Sequence, residues 1–286
     1  MVNNLDEEKT KKILKGITIP PQPQILVDLQ MESAFETVSL DKITSIIVKD
    51  IGISGAVLKI INSPCFGMRG KVSSIKQALN LLGLKNVLNI IRCLTLRNAF
   101  DFEHLARMTQ VWDNSSDVAM ACMAISKMLG VGSVDESYTL GLFHDSGITL
   151  MMDKFENYPE VIKRAYAEPK RRITDVENAE FHTNHSVVGY FTAKAWNLPK
   201  HICQAIADHH KTEPIFREEV SYDPQGKNLL AVLKLAENTC TSHKSIGDAG
   251  DHFEFKRIKK DLLIYLGIGE YDLEDIQASV REMLVV

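Results

Sequence analysis

Apolar residues along this chain recur every three to four positions, and that spacing predicts helices nearly throughout. Pro20-Pro21-Gln22-Pro23 is a stiff stretch that cannot lie inside a helix. Ile25, Leu26 and Leu29 mark the helix that follows it. Ser39 suits the N-cap of the next, with Ile43, Ile46 and Ile47 on one face. Ile51-Gly52 reads as a break and Ser54 as the start of a helix carrying Val57, Leu58 and Ile61, which ends at Asn62-Ser63-Pro64. Cys65 to Gly70 reads as a glycine-rich loop. Ser73 is the expected cap of a helix with Ile75, Ala78, Leu79 and Leu82 inward, stopped by Gly83. A further helix is expected from about Asn86 to Ala99, with Val87, Ile90, Ile91 and Leu94 inward and Arg92 and Arg97 outward.

The second half continues the pattern. Trp112 to Leu129 carries Val118, Ala119, Cys122 and Met123, with Gly130 as its stop. Residues 135–152 are apolar nearly all round, which predicts one buried central helix. Thr174 with Glu177 has the spacing of a capping box. His185 to Trp196 reads as a helix closed by Asn197-Leu198-Pro199, and the next runs to about His210, followed by one from Asn228 to Thr241. Strand alternation and Asn-Gly or Asp-Gly hairpin turns are missing from the sequence, so the expected fold class is all-α.

Composition narrows the function classes. The 286 residues are 24% charged and 45% apolar, a globular balance that fits one large domain or two small ones. A net charge of -4 and a pI near 6.2 offer no cation excess to neutralise phosphates, so nucleic acid is an unlikely partner in bulk. Residues 1–16 form a polar, partly acidic arm rather than a secretory signal. No apolar run of about 18 residues predicts a membrane span, and five cysteines without a CxxC pair suit a reduced, cytoplasmic protein.

Five residues stand out as chemistry: His144, Asp145, His185, His209 and His210. Imidazole and carboxylate together suit zinc, iron or manganese. His209 and His210 continue the inward stripe set by Ile202 and Ile206, and His144-Asp145 falls in the most apolar stretch of the chain. A buried carboxylate is costly unless it is paired or bound to metal. Each of these residues alone reads first as a hydrogen-bonded core residue; only their combination brings a metal cluster level with that reading.

These segments resemble a known family. Gly141-Leu142-Phe143-His144-Asp145-Ser146-Gly147 is similar to the signature box of the HD phosphohydrolase superfamily. His185 to Gly189, and Trp196-Asn197-Leu198-Pro199 followed by Ile206 to His210, resemble elements shared by the HD-GYP phosphodiesterases and the HDOD proteins. Ile17 to Pro23, Ile47 to Gly67, and Val72 to Leu84 resemble the HDOD family specifically. The resemblance covers about residues 17–215. It implies an HD-like helical bundle (111–215) behind an N-terminal helical layer (17–110), with a C-terminal helical extension over 216–286.

The resemblance also implies a damaged site. Asn114 stands where metal-dependent HD enzymes have their first histidine, and an amide oxygen replaces imidazole poorly on a transition metal. Glu237 stands at the position of the family's last aspartate ligand, and no Gly-Tyr-Pro follows His210. The implied metal set is therefore His144, Asp145, His185, His209, His210 and Glu237, around an iron, manganese or zinc ion. The expected role is a cytoplasmic signalling module that binds a protein partner, or a nucleotide ligand, without turnover. The alternative is a metal-dependent phosphohydrolase on a nucleotide or phosphate ester, with Asp145 the residue that would be catalytic. The Asn62-Ser63-Pro64 turn with Gly67 and Gly70, a basic face of Lys71, Lys76, Lys85, Arg92 and Arg97, and Lys170-Arg171-Arg172 read as ordinary turns and solvated surface.

Overall fold

The computed structural model describes residues 12–35, 37–64, 70–98 and 106–284. Among these the regular structure is helical with no strand, as the periodicity predicts. The chain divides into two compact units, one within Pro20–His104 and the other within Leu105–Val285 joined by the stretch before Pro20.

The first unit contains α1 (Gln24–Ser33), α2 (Leu40–Val48), α3 (Ile51–Ile61), α4 (Ile75–Leu82) and α5 (Leu84–Asn98). Leu26, Leu29, Ile43, Ile47, Val57, Ile61, Ala78, Val87 and Ile91 form its core. Ser39 caps α2 as expected, accepting from the Lys42 backbone N–H at 3.3 Å. Two expected starts are corrected. Ile51-Gly52 does not break the chain before Ser54: the Asp50 carboxylate accepts from the Ile53 N–H at 2.9 Å and starts α3 at Ile51, while the Ser54 hydroxyl donates back to the Ile47 carbonyl. An aspartate placed four residues earlier satisfies one of the first orphan donors, so the serine is not needed as a cap. Likewise Ser74 rather than Ser73 caps α4, accepting from the Gln77 N–H at 3.1 Å, and Gln77 Oε1 takes the Ser73 N–H at 3.0 Å. Asn62 closes the turn after α3 by bonding both the N–H and the carbonyl of Val72 at 2.8 Å. Cys65 to Arg69 and the side chains of Cys93 and Arg97 lie outside the described residues.

The second unit contains α6 (Ala106–Leu129), α7 (Val134–Phe143), α8 (Ser146–Lys154), α9 (Tyr158–Tyr166), α10 (Ile173–Phe181), α11 (His185–Ala195), α12 (Lys200–Asp208), α13 (Thr212–Phe216), α14 (Pro224–Cys240), α15 (Ser242–Ser245), α16 (Phe253–Leu266) and α17 (Glu270–Leu284). α6 packs along α7 and α14, and α11 lies against α8 and α12. α14 begins earlier than Asn228, because Asp223 caps it on the Gly226 N–H at 2.8 Å and Pro224 fills the first turn.

The expected single helix over residues 135–152 is two helices, parted at His144-Asp145. Polar side chains take the carbonyls that the break releases: His144 Nδ1 meets the Gly141 carbonyl at 2.7 Å and the Ser146 hydroxyl donates to the Phe143 carbonyl at 2.7 Å. The Thr174–Glu177 capping box does not form either. α10 starts at Ile173, with Asp175 accepting from the Arg172 N–H, and Glu177 turns inward.

Three glycines let these helices close. A Cβ at Gly141 would lie 2.6 Å from the Ala119 Cα, where α7 crosses α6. A Cβ at Gly147 would lie 2.0 Å from the His185 carbonyl oxygen, and one at Gly189 3.0 Å from Ile206. α8 and α11 therefore meet nearly backbone to backbone beside His144-Asp145, and the Ile206 side chain of α12 fits against the bare Gly189.

Gly147→Ala is expected to destabilise the protein by about 3 kcal/mol or to prevent folding, since rigid backbone must shift to admit the methyl. Gly55→Ala in α3, where a Cβ meets nothing within 4 Å, should be neutral or stabilising by up to about 1 kcal/mol. Urea unfolding of the two variants separates these outcomes; equal stabilities would contradict the close approach at Gly147.

Candidate metal centre

Local structure aims each ligand before any long-range contact is considered. The α7–α8 break puts both His144 and Asp145 on the interior side of the junction, with the rings and carboxylate 0% and 2% exposed. Asn184 caps α11 on the Val187 N–H at 3.0 Å, so His185 is the first residue of that helix. α12 ends at Asp208, two residues short of the expected His210, and His209 and His210 follow its last turn inward.

Asp145, His185, His209 and His210 come together: one ligand atom from each lies within 4.8 Å of all the others, and all four residues are buried. His185 Nε2 is 3.0 Å from His210 Nε2 and 3.3 Å from His209 Nε2. Asp145 Oδ1 is 3.6 Å from His185 Nε2 and 3.5 Å from His209 Nε2. Its other oxygen, Oδ2, is 3.1 Å from His144 Nε2, which in turn is 3.6 Å from Glu237 Oε1.

The outer nitrogens fix the tautomers. His144 and His209 each direct Nδ1 at a backbone carbonyl, that of Gly141 and that of Ile206, both at 2.7 Å. A carbonyl only accepts, so these Nδ1 atoms carry hydrogen. His185 Nδ1 donates to Glu177 Oε2 at 2.8 Å and His210 Nδ1 to Glu254 Oε2 at 2.6 Å, the carboxylate–histidine pairing that orients metal-binding imidazoles. In the neutral ring the lone pair is then on Nε2, and four Nε2 lone pairs face one another and the Asp145 carboxylate. Asp145 Oδ1 and His144 Nε2 are buried with no hydrogen-bond partner. Acceptors turned on acceptors in a dry interior are unfavourable unless a cation lies between them. Ligands sharing one tetrahedral ion at about 2.0–2.1 Å from each nitrogen would be about 3.3 Å apart, close to the spacings seen. The donor set fits a transition-metal ion.

The surrounding charge has the same sign of demand. Four buried carboxylates, Asp145, Glu177, Glu237 and Glu254, surround the rings against one buried ammonium, Lys234. Burial disfavours a charged ring at His144, yet Asp145 and then Glu237 overcome it and push that imidazole above its ordinary range. His185 moves upward too, with Glu177 outweighing burial. His209 goes the other way: burial and the neighbouring His210 hold it well below, as a neutral ligand. Burial would raise the Asp145 carboxyl, but His144, His209 and His185 keep it well below the usual carboxylate range. Lys234 stays an ammonium because Glu237 and Glu254 outweigh its burial.

Of the six ligands expected from the sequence, four share the tight group, and His144 and Glu237 flank it through Asp145 and His144 respectively. Asn114 is buried in α6. Glu177, Glu254, Lys234 and Ser186, whose hydroxyl lies 3.4 Å from both His185 Nε2 and His209 Nδ1, were not legible as site residues. Lys234 carried a usable signal: it interrupts the otherwise apolar run Leu229 to Leu235, a place where a lone lysine needs an internal partner. Among the described residues no cysteine joins a metal-ligand group: Cys122 and Cys203 are buried, Cys240 is half-buried, and none of these is in a disulfide. Of the basic candidates, Lys76 pairs with Asp41 at 2.6 Å, Arg92 with Asn89, and Arg171 with the Asp175 carbonyl. Among the described residues no helix is long and apolar enough to cross a membrane.

Comparison with known proteins gives the fold and the family. An uncharacterized protein of Treponema pallidum (strain Nichols) is 26% identical over 196 residues, 67% of this chain, and the match spans 37% of that relative's length. A Shewanella amazonensis SB2B structure, named provisionally as a metal-dependent phosphohydrolase, superposes with a TM-score of 0.67 at 19% identity over 99% of this chain and 98% of its own. A Marinobacter aquaeolei VT8 structure, named provisionally as a signal transduction protein, gives 0.66 at 16% identity over 98% of this chain and 63% of its own. These two share the fold, the HD-like helical architecture expected from the sequence. The HDOD domain model matches residues 19–212, more than half of the sequence, and the chain belongs to the HDOD domain family.

Proposed function

We propose that this chain is a regulatory HDOD module that holds one divalent transition-metal ion as a structural and signalling element, and that acts by binding a signalling protein partner without turnover. The observation that carries the ion is the convergence of the His185, His209 and His210 Nε2 atoms on Asp145 Oδ1, with every Nδ1 already committed to an acceptor. Three imidazoles and a carboxylate suit zinc, iron or manganese. Bound there, such an ion would supply Lewis acidity toward a phosphate ester.

The chain's own residues favour holding over turnover. The His144, His185 and His209 rings are 0% exposed, so a phosphate ester has no direct approach to them. Asn114 offers an amide where the HD enzymes have a histidine, and Glu237 is engaged by Lys234 at 2.8 Å. Glu177 and Glu254 brace the rings of His185 and His210, which fixes ligand direction rather than delivering protons to a substrate. The signalling reading is supported by membership of the family and by the name of the Marinobacter fold relative. The second reading, a phosphohydrolase, is favoured by the surviving donors and by the Shewanella relative's name.

Two measurements test this. Protein purified without an affinity tag should contain about one transition-metal ion per chain. Asp145→Asn should abolish it, and Glu177→Ala should weaken it by roughly 10–100-fold in competition with a chelator. A metal-free protein, or wild-type affinity in Asp145→Asn, would remove the ion from the account.

Activity is the second test. With manganese, iron or zinc, no turnover is expected on cyclic dinucleotides, nucleotides or an aryl phosphodiester. Turnover that disappears in His144→Ala and Asp145→Ala would replace the regulatory module by the enzyme.

A further inference from the structure

The centre has two donor corners that share Asp145. Oδ1 of that carboxylate faces His185 and His209, with His210 beside them. Oδ2 faces His144 Nε2 at 3.1 Å, and the same nitrogen faces Glu237 Oε1 at 3.6 Å. His144 Nε2 thus stands between two carboxylate oxygens, a second run of donors of the kind that attracts a cation.

That second corner already has one. Lys234, three residues before Glu237 on α14, is 0% exposed, and its Nζ lies 2.8 Å from Glu237 Oε2 and 2.8 Å from Glu254 Oε1. Leu233 and Leu235 on either side of it are also 0% exposed, so the stem and its ammonium are held out of contact with solvent. Glu237 divides its two oxygens between the ammonium and His144. A divalent ion on Glu237 Oε1 would be one carboxylate's width from a fixed positive charge, in an interior where neither water nor salt screens the repulsion.

We propose that the Lys234 ammonium is a resident cation standing in for a second metal ion at the His144–Glu237 corner, so that the centre holds one ion and not two. The inference rests on the reading that the first corner holds an ion. Lys234 is also a positioning residue for that first corner. It fixes Glu254 through Oε1, and Glu254 Oε2 holds His210 Nδ1 at 2.6 Å with His210 Nε2 turned to the ligand group. One lysine thereby excludes an ion from one corner and braces a ligand of the other.

The test counts ions in the full-length, untagged, metal-stripped protein titrated with Mn2+, by elemental analysis and by the electron paramagnetic resonance of bound and free manganese. Wild type should take up one ion per chain, with the signal of an isolated manganese. Lys234→Met should take up two, and the bound signal should broaden from coupling between neighbouring ions. Because Lys234→Met leaves two buried carboxylates without their counter-charge, a second variant removes one of them as well. In Lys234→Met/Glu254→Gln the introduced amide oxygen still accepts from His210 Nδ1, and circular dichroism reports whether the fold is kept. Lys234→Arg should keep a single ion. Two ions in wild type would overturn the role of Lys234 while leaving the first corner intact, and the same holds if the folded double variant stays at one. No ion in wild type would overturn the ion reading and this inference with it.

Discussion

Everything in the second unit is arranged around the direction of four imidazole rings. Each ring donates from Nδ1 to a fixed acceptor, two backbone carbonyls and two carboxylates, and each neutral ring therefore presents Nε2 as a bare lone pair. Lone pairs 3.0 and 3.3 Å apart, with a carboxylate oxygen facing them, are electrostatically unfavourable by themselves in a buried site. A cation converts that repulsion into a set of bonds. The outer acceptors are thus as much a part of the centre as the inner nitrogens, because without them the rings would be free to choose the other tautomer.

The fold makes this arrangement affordable through close backbone contact. His144 and Asp145 sit at a helix break, His185 at a helix start and His209-His210 just past a helix end. At each terminus a side chain has fewer helical neighbours and can turn into the interior. The glycines at 141, 147 and 189 then remove the Cβ atoms that would hold α6, α8, α11 and α12 apart. Lys234 and Glu254 extend the same design outward to α14 and α16, so the helices beyond residue 215 supply charge and bracing to ligands that lie before it.

Much of this was legible in the sequence, for identifiable reasons. Apolar spacing at three and four gave the all-α fold because helix packing in this chain is done by simple inward stripes such as Ile43 and Ile47 or Ile202 and Ile206. The ligand residues were legible because histidines on those stripes have few other uses in combination. What was hidden depends on tertiary contact. The break at His144-Asp145 follows from side chains that capture freed carbonyls, and no apolar period records that. Glu177 had the spacing of a cap, but a histidine eight residues later competes for it and wins. Asp50 and Ser74 displaced the neighbouring serines as caps because a shift of one or a few residues costs nothing in periodicity, while it decides which backbone N–H is satisfied. Glu254 lies 44 residues from the ring it holds, beyond any local pattern.

The central claim is that the Nδ1 acceptors turn the Nε2 lone pairs of His185, His209 and His210 onto one ion. Nitrogen-15 spectra of the histidine rings in the zinc-loaded protein test it most directly. The account predicts that all three rings carry hydrogen on Nδ1 and that their Nε2 resonances shift together when zinc is added and return when it is removed. A hydrogen on Nε2 of any of the three in the loaded protein, or Nε2 resonances that ignore zinc, would contradict it.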